Sequence, residues 1–444
     1  MLLASQIYYF SIALISRLLL WRENSSFVCY KPIIVIFFYR IGIYLYTAVI
    51  HMASLFNSKA RKWINGRKNW KQHLPHFDSC IWIHCSSLGE FEQGRAFIEK
   101  VKELHPHEKI VLTFFSPSGY EIRKNYPFAD AVLYLPIDTP SNARYFINAI
   151  QPKAAIFVKY DFWFNYLQTL QQKNIPHFLI SAVFSEHHFI FKPWAASFKN
   201  IIQKFTTIFV QTSESVHLLK KNGFEHIRLA GDTRVERVLN IREENFENEI
   251  IASFLQKQKA FIVGSAWKED LAIIHNSFQN GSITEKIIIV PHEINAENLL
   301  TISHYFGKRN IALYTEFDAQ HDAQKPILVV NTIGLLAYLY RYAQRVYIGG
   351  GFGKSIHNTL EPAVYNIPLF FGPRFRKFPE AIYFVQKGIA TSVQDADSFE
   401  NAYKNKAMLS TDEIESLTSF LEFHRNASTA ILQDLEDKRI FPNA

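Results

Sequence analysis

The sequence predicts an α/β protein built from two doubly wound, Rossmann-like domains facing a central cleft, with an N-terminal membrane-associated helical segment ahead of them. Three observations carry that expectation. From residue 80 onward short β-rich apolar runs alternate with longer helical patterns, as parallel sheets covered on both faces require. The alternation lapses once, in the charged stretch Arg237 to Gln258, and then resumes. The chain has 444 residues, 48% of them hydrophobic, which exceeds one core and suffices for two.

The first series of runs is 80–84, 110–114, 131–135, 155–158, 177–180, 208–210 and 227–230. The second is 261–263, 287–290, 327–330, 346–348, 368–371 and 389–391. These place a membrane segment with a basic collar at 1–72, a first Rossmann-like domain at 73–240 and a second at 241–444, the last helix packing back on the first domain. In open sheets of this kind ligands bind beyond the C-terminal ends of the strands, so the turns after the runs are where chemistry is expected.

Ahead of the first strand lie two apolar stretches, Met1 to Leu20 broken by Arg17, and Pro32 to Phe56 broken by Arg40. The first lacks the basic start and small-residue cleavage site of a secretory signal. The second is long enough to cross a bilayer, but Arg40 argues equally for a tilted or interfacial helix. Lys59, Arg61, Lys62, Arg67, Lys68 and Lys71 follow, interleaved with Trp63 and Trp70. Basic and aromatic flanks of this kind suit an anionic headgroup layer. The 48 Lys and Arg against 40 Asp and Glu call for an anionic partner; a membrane surface is favoured over nucleic acid, because no reading element carries the charge. Three cysteines without a C-x-x-C pair suit a reducing compartment.

The first candidate site is the turn His84-Cys85-Ser86-Ser87-Leu88-Gly89-Glu90. Glu90 serves either as a general base or as a carboxylate complementing the positive start of its helix. Ser116 to Glu121 reads as a helix cap or an anion cradle. Lys159 to Asn165 sets Lys159 and Asp161 beside Trp163 at a strand end, and Arg234 in Gly231-Asp232-Thr233-Arg234 offers a cation for a leaving phosphate. In the second series a strand leads into Gly349-Gly350-Gly351-Phe352-Gly353, then Asn358-Thr359-Leu360-Glu361. A glycine loop running into a helix presents N–H groups to phosphate, yet glycine turns without ligands are common. Neither a Walker A loop nor a dinucleotide fingerprint fits the spacing. Pro291-His292 and Ile333-Gly334-Leu335 point at the same edge. His187-His188 and Asp395-Ala396-Asp397 lack companion ligands, so neither a metal nor a cofactor is expected.

Taken in order, these strings resemble the Kdo (3-deoxy-D-manno-octulosonic acid) transferases of lipopolysaccharide synthesis, from about Tyr39 nearly to the C-terminus. That resemblance implies a GT-B glycosyltransferase at the cytoplasmic face of the inner membrane, with CMP-Kdo as donor and a lipid A precursor as acceptor. It matches His84, Ser87, Gly89 and Glu90 to the family's His-x-x-Ser-x-Gly-Glu turn, whose glutamate is regarded as the base. It assigns catalytic roles to Asp161 and Arg234, and CMP-sugar binding to Pro291, His292, Ile333, Gly334, Leu335, Asn358, Thr359, Leu360 and Glu361. Three positions depart from the family: Lys159 stands for a glutamate, His292 for an arginine and Leu335 for a glutamate. A transferase using another nucleotide sugar, and an inactive scaffold of the same fold, are the competing readings.

Overall fold

The computed structural model describes residues 32–441, so the apolar stretch Met1 to Leu20 lies outside the described residues. The chain divides into two compact units. The first holds the described residues up to Arg234 together with those from Asn426; the second is Val235–Arg425.

The first unit is built on β1 (Cys80–Cys85), β2 (Ile110–Phe114), β3 (Ala131–Tyr134), β4 (Pro152–Val158), β5 (His177–Ala182), β6 (Thr207–Val210) and β7 (Ile227–Leu229). All pair in parallel, in the order β3-β2-β1-β4-β5-β6-β7. Every residue of β1 is buried. Because side chains alternate across a strand, Cys80 and Trp82 join the core on one face, and Ile81, Ile83 and Cys85 the core on the other. The helix Ala427–Asp437 closes the second of these cores with Ile431, Leu432 and Leu435. Its fully buried Asp434 accepts from Thr207 Oγ1 at 2.8 Å and pairs with Arg228 and Lys438. A buried carboxylate is tolerated when its oxygens are satisfied in this way.

The helix Pro32–Ala53 is long and apolar enough to cross a bilayer, but it is not apolar surface all round. Val35, Tyr39 and Ile43, one helical turn apart, are buried in the first unit, as i, i+4 spacing on one face dictates. The Tyr39 hydroxyl donates to the Asp138 carboxylate and accepts from Phe164 N–H. Arg40, the charge that interrupts the stretch, turns to the protein, with Nη2 3.4 Å from Asn165 Oδ1. Phe37, Tyr44, Leu45, Val49 and Met52 are exposed.

Two members of the expected headgroup collar face inward instead. Trp63 is 3% exposed and Arg67 8%. The Arg67 guanidinium donates to the carbonyls of Leu135, Phe115 and Trp63 and stacks on three rings. Carbonyls and π-faces satisfy this cation inside the protein, with desolvation driving its pKa down to about 9. It is therefore a strut beneath the sheet edge, while Lys59, Arg61, Lys62 and Lys68 remain exposed.

The second unit carries β8 (Ala260–Ala266), β9 (Lys286–Pro291), β10 (Ile311–Leu313), β11 (Ile327–Val329), β12 (Ala343–Ile348), β13 (Leu369–Phe371) and β14 (Ala390–Ser392). Their order is β10-β11-β9-β8-β12-β13-β14, again all parallel. The edge strand β10 is absent from the series read off the sequence. The charged stretch after Arg237 is helical, Arg234–Glu243 and Glu249–Leu255, and buries Val235, Val238, Ile251 and Phe254 in this unit's core.

Candidate functional site

In the first unit the strand order reverses between β1 and β4, and the turns after these two strands bring the predicted residues together. Helix Leu88–Leu104 starts after Ser87, with Glu90 in its first turn. Ser87 Oγ donates to Glu90 Oε2 at 3.1 Å, and the Ser87 backbone N–H also bonds the carboxylate. Glu90 thus completes half of a capping box, so its structural role is real. A cap alone would stay exposed and acidic. Glu90 is instead partly buried, and desolvation together with the charge of Asp161 holds its proton affinity well above the carboxylate range, while Lys159 opposes the shift. The lysine that departs from the family pattern therefore bears electrostatically on the proposed base. Lys159 itself adopts φ 64°, a left-handed conformation uncommon outside glycine.

Asp161 belongs to a hydrogen-bonded row. Its Oδ2 is 3.0 Å from Nε2 of the fully buried His84, whose Nδ1 is 2.8 Å from Thr113 Oγ1. The Trp163 indole N–H reaches the same Nε2 at 3.0 Å, and the Trp82 indole donates to Thr113 Oγ1 at 2.8 Å. His84 meets Asp161 at the strand end, and Trp163 reaches the same histidine nitrogen. Asn165 lies deeper: its amide and its backbone N–H bond Asp138.

Arg234 is joined to this unit through its own loop. Its guanidinium pairs bidentately with Asp232, Nε at 3.0 and 3.1 Å from the two oxygens. The neighbouring Thr233 hydroxyl donates to the Gln93 carbonyl on the Glu90 helix and meets Ser181 Oγ at 3.1 Å. The loop is fixed to that helix, and Asp232 holds the arginine's charge.

Ser116 caps helix Pro117–Arg123, accepting from Ser118 N–H. His188 sits among Tyr160, Phe162, Phe184, Phe189 and Phe191 and is held neutral by burial, with its pKa down at about 4. Asp395 caps helix Ala396–Asn405 in a capping box with Ser398. Among the described residues no group of three His, Cys, Asp or Glu is arranged around a metal-sized space.

In the second unit the order reverses between β8 and β12. The expected glycine loop into a helix takes a different form. Residues 349–359 coil before a single turn, Leu360–Ala363, which is too short to present a helix dipole. Each early glycine also answers to protein contacts. A Cβ on Gly349 would lie 2.2 Å from the Ser265 carbonyl, Gly350 has φ 91°, and a Cβ on Gly351 would lie 2.5 Å from Gly372 N. Asn358 orders the turn, accepting from Leu360 N–H and donating to Glu361 Oε1, both at 3.0 Å. The Thr359 hydroxyl is buried with no partner among the described residues. Burial lowers the proton affinity of Arg237, a cation the sequence reading passed over, and Glu361 opposes that shift.

Pro291 is buried at the end of β9, and His292 N–H donates to the Ala266 carbonyl at 3.0 Å. The His292 ring stacks on Trp267 (centroids 4.3 Å) and meets His357 (4.4 Å). Trp267 Nε1–H points to His357 Nε2 at 3.3 Å. Beneath them the buried Asp270 accepts from Trp267 N–H and Gly350 N–H, each at 2.9 Å, and from the Tyr347 hydroxyl at 3.1 Å. Asp270 therefore clamps the glycine loop to the end of β8. Ile333-Gly334-Leu335 forms the turn after β11, with Gly334 at φ 96°, Ile333 90% exposed, and Leu335 opening the short helix Leu336–Leu339. Trp267, Asp270 and His357 were not singled out from sequence. Asp270 had a signal in the capping spacing, three residues beyond Trp267 and ahead of an apolar run.

Comparison with known proteins agrees with this fold. Residues 60–237 match the family profile of 3-deoxy-D-manno-octulosonic-acid transferase (kdotransferase). The 3-deoxy-D-manno-octulosonic acid transferase of Aquifex aeolicus is 26% identical over 323 residues, 71% of this chain and 82% of that protein. That of Haemophilus influenzae is 25% identical over 358 residues, 75% of this chain and 80% of that protein. Among solved structures, a UDP-N-acetylglucosamine 2-epimerase (TM-score 0.58, 12% identity) covers 83% of this chain and 98% of its own. The Neisseria meningitidis UDP-GlcNAc 2-epimerase bound to UDP-GlcNAc is also similar, with TM-score 0.55, 14% identity, and 81% of this chain and all of its own covered. At such identities these structures speak for the fold alone, two α/β units of the GT-B kind. Over residues 60–237 the chain carries the sequence pattern of the Kdo transferases, and its likeness to individual Kdo transferases extends over 71–75% of its length.

Proposed function

We propose that the chain transfers Kdo from CMP-Kdo to a lipid A precursor with inversion at the anomeric carbon, Glu90 acting as general base. The observation that carries the assignment of the base is the environment of Glu90. A carboxylate at a strand-end turn whose proton affinity is raised by burial and by Asp161 is suited to accept a proton near neutral pH. In a single displacement Glu90 removes the proton of an acceptor hydroxyl as that oxygen attacks the anomeric carbon. The C–O bond to the phosphate breaks and CMP leaves with the electron pair. Asp161, beside His84, supports the positive character developing at the sugar ring, and Arg234 offers cationic charge to the leaving phosphate, exchanging part of its pairing with Asp232.

Donor binding falls to the second unit: Pro291 and His292, the turn Ile333-Gly334-Leu335, and Asn358 through Glu361. Glu361 suits sugar or ribose hydroxyls, and the unpartnered Thr359 hydroxyl adds a buried polar group seeking a ligand. The acceptor is a membrane lipid. The exposed Phe37, Tyr44, Leu45, Val49 and Met52 are read as entering the interface of the inner membrane from the cytoplasmic side, with Lys59, Arg61 and Lys62 on its anionic headgroups.

Competition tests the donor. CMP is expected to inhibit transfer in the low range where CMP-Kdo saturates, with UDP inert at the same concentration. Equal inhibition by UDP, or none by CMP, would overturn the donor assignment.

A further inference from the structure

The second unit's strand-end edge holds a feature that nucleotide binding alone does not require: two imidazoles and an indole in one stack. Trp267 comes from the end of β8, His292 from the end of β9 and His357 from the coil after β12. The three meet over the glycine loop, where a Cβ on Gly350 would lie 3.2 Å from the His357 ring.

The hydrogen bonds separate the roles of the two histidines. Trp267 Nε1–H donates to His357 Nε2, so that nitrogen is an acceptor and His357 is held neutral; burial and the neighbouring His292 push its pKa down to about 4. His292 has no such constraint on its ring. Its backbone is fixed by Ala266, the residue is exposed, and desolvation lowers its proton affinity, with Glu293 pulling the other way. The titratable groups bearing on it are therefore His357 from the coil after β12 and Glu293 on its own loop. Asp270, on the helix that follows Trp267, is engaged by Gly350, Trp267 and Tyr347.

We propose that donor binding is proton-coupled: His292 takes up one proton as the nucleotide phosphate arrives, becoming the cation that pairs with it. This rests on the assignment of CMP-sugar binding to this edge. An anion beside an imidazole favours its charged form, and the His357 ring, locked as a neutral acceptor, does not compete for the proton. The balance is one free proton from solvent, one neutral His292 and one phosphodiester anion giving an imidazolium–phosphate pair. Bound-state proton affinity at His292 rises above the free-state value, so the added affinity is fully present at low pH and is lost as pH rises through the bound-state pKa.

The test is titration calorimetry of the full chain with cytidine 5′-phosphate methyl ester, a phosphodiester whose phosphate does not titrate near neutrality. Heats measured at about pH 7 in buffers of different ionisation enthalpy give the protons taken up. The wild-type protein is expected to take up a large fraction of one proton, its affinity weakening by up to about ten-fold per pH unit above neutrality. His292→Arg, a permanent cation, is expected to bind with no uptake and a flat pH dependence. His292→Gln is expected to bind more weakly, also without uptake. Binding to wild type without uptake, or equal uptake by His292→Gln, would overturn proton coupling and leave the donor site standing. Absence of binding in all three folded proteins would overturn the donor assignment itself.

Discussion

The two strand-end edges share one topology and differ in chemistry. Both lie where the strand order reverses, after β1 and β4 in one unit and after β8 and β12 in the other. In the first, the central groups are ionisable and close: desolvation first, and then the charge of Asp161, raises the proton affinity of Glu90 against the opposing Lys159, while Asp161 meets His84. In the second, the exposed groups are rings and turns, with Asp270 clamping the glycine loop and Glu361 accepting from Asn358 through one oxygen. A carboxylate of raised proton affinity suits the proposed proton removal, and a surface of rings and turns suits the proposed donor binding. The fold supplies the location and the turn residues supply the division of labour.

That contrast breaks most sharply at Glu90. Glu90→Gln keeps the volume and removes the basic oxygen, so turnover is expected to drop by about 10²–10⁴, while CMP affinity stays within about two-fold. Comparable losses in both quantities would erase the distinction between the units. Next in size is Asp270→Ala, which strands two backbone N–H groups and the Tyr347 hydroxyl in a buried place. A stability loss of roughly 2–4 kcal/mol is expected in denaturant unfolding. CMP should bind more weakly while the pH dependence of turnover at saturating donor keeps its shape. A shifted pH profile in this variant would show that the edges do not act separately.

The smallest effect sharpens the first edge alone. As the proposed base Glu90 is needed deprotonated, and its folded pKa is raised, so turnover is expected to fall as pH drops through that value. Asp161 contributes to the raising; Asp161→Asn should therefore move the acidic limb to lower pH, beside any loss in maximal rate. A limb that stays in place would mean that desolvation, the first cause of the shift, accounts for all of it.

The sheets were legible because buried parallel strands write themselves as continuous apolar runs, such as Cys80 to His84 and Ile287 to Val290. β10, Ile311–Leu313, is a three-residue edge strand that was missed, although the equally short edge strands β7 and β14 were read. The turns carrying Glu90, Asp161 and His292 were visible as polar strings at strand ends. What those strings do to one another was not. That Lys159 bears on Glu90, that Asp270 reaches across to Gly350, and that Trp267 stacks on His292 are contacts between segments distant in sequence, set by strand order. Trp63 and Arg67 show the converse error: a basic and aromatic string beside an apolar helix reads as a headgroup collar, yet the carbonyls of Leu135 and Phe115 draw the guanidinium inward. Spacing in the sequence gives no sign of those acceptors.

The central claim is that Glu90 drives Kdo transfer onto a lipid. Purified protein incubated with CMP-Kdo and a lipid A precursor, with the lipid product weighed by mass spectrometry and CMP quantified, tests it most directly. The account predicts a lipid heavier by whole Kdo residues, one CMP released for each, and neither product from Glu90→Gln that still binds CMP. An unchanged lipid mass with wild-type protein that is folded and binds CMP, or full product from Glu90→Gln, would contradict it.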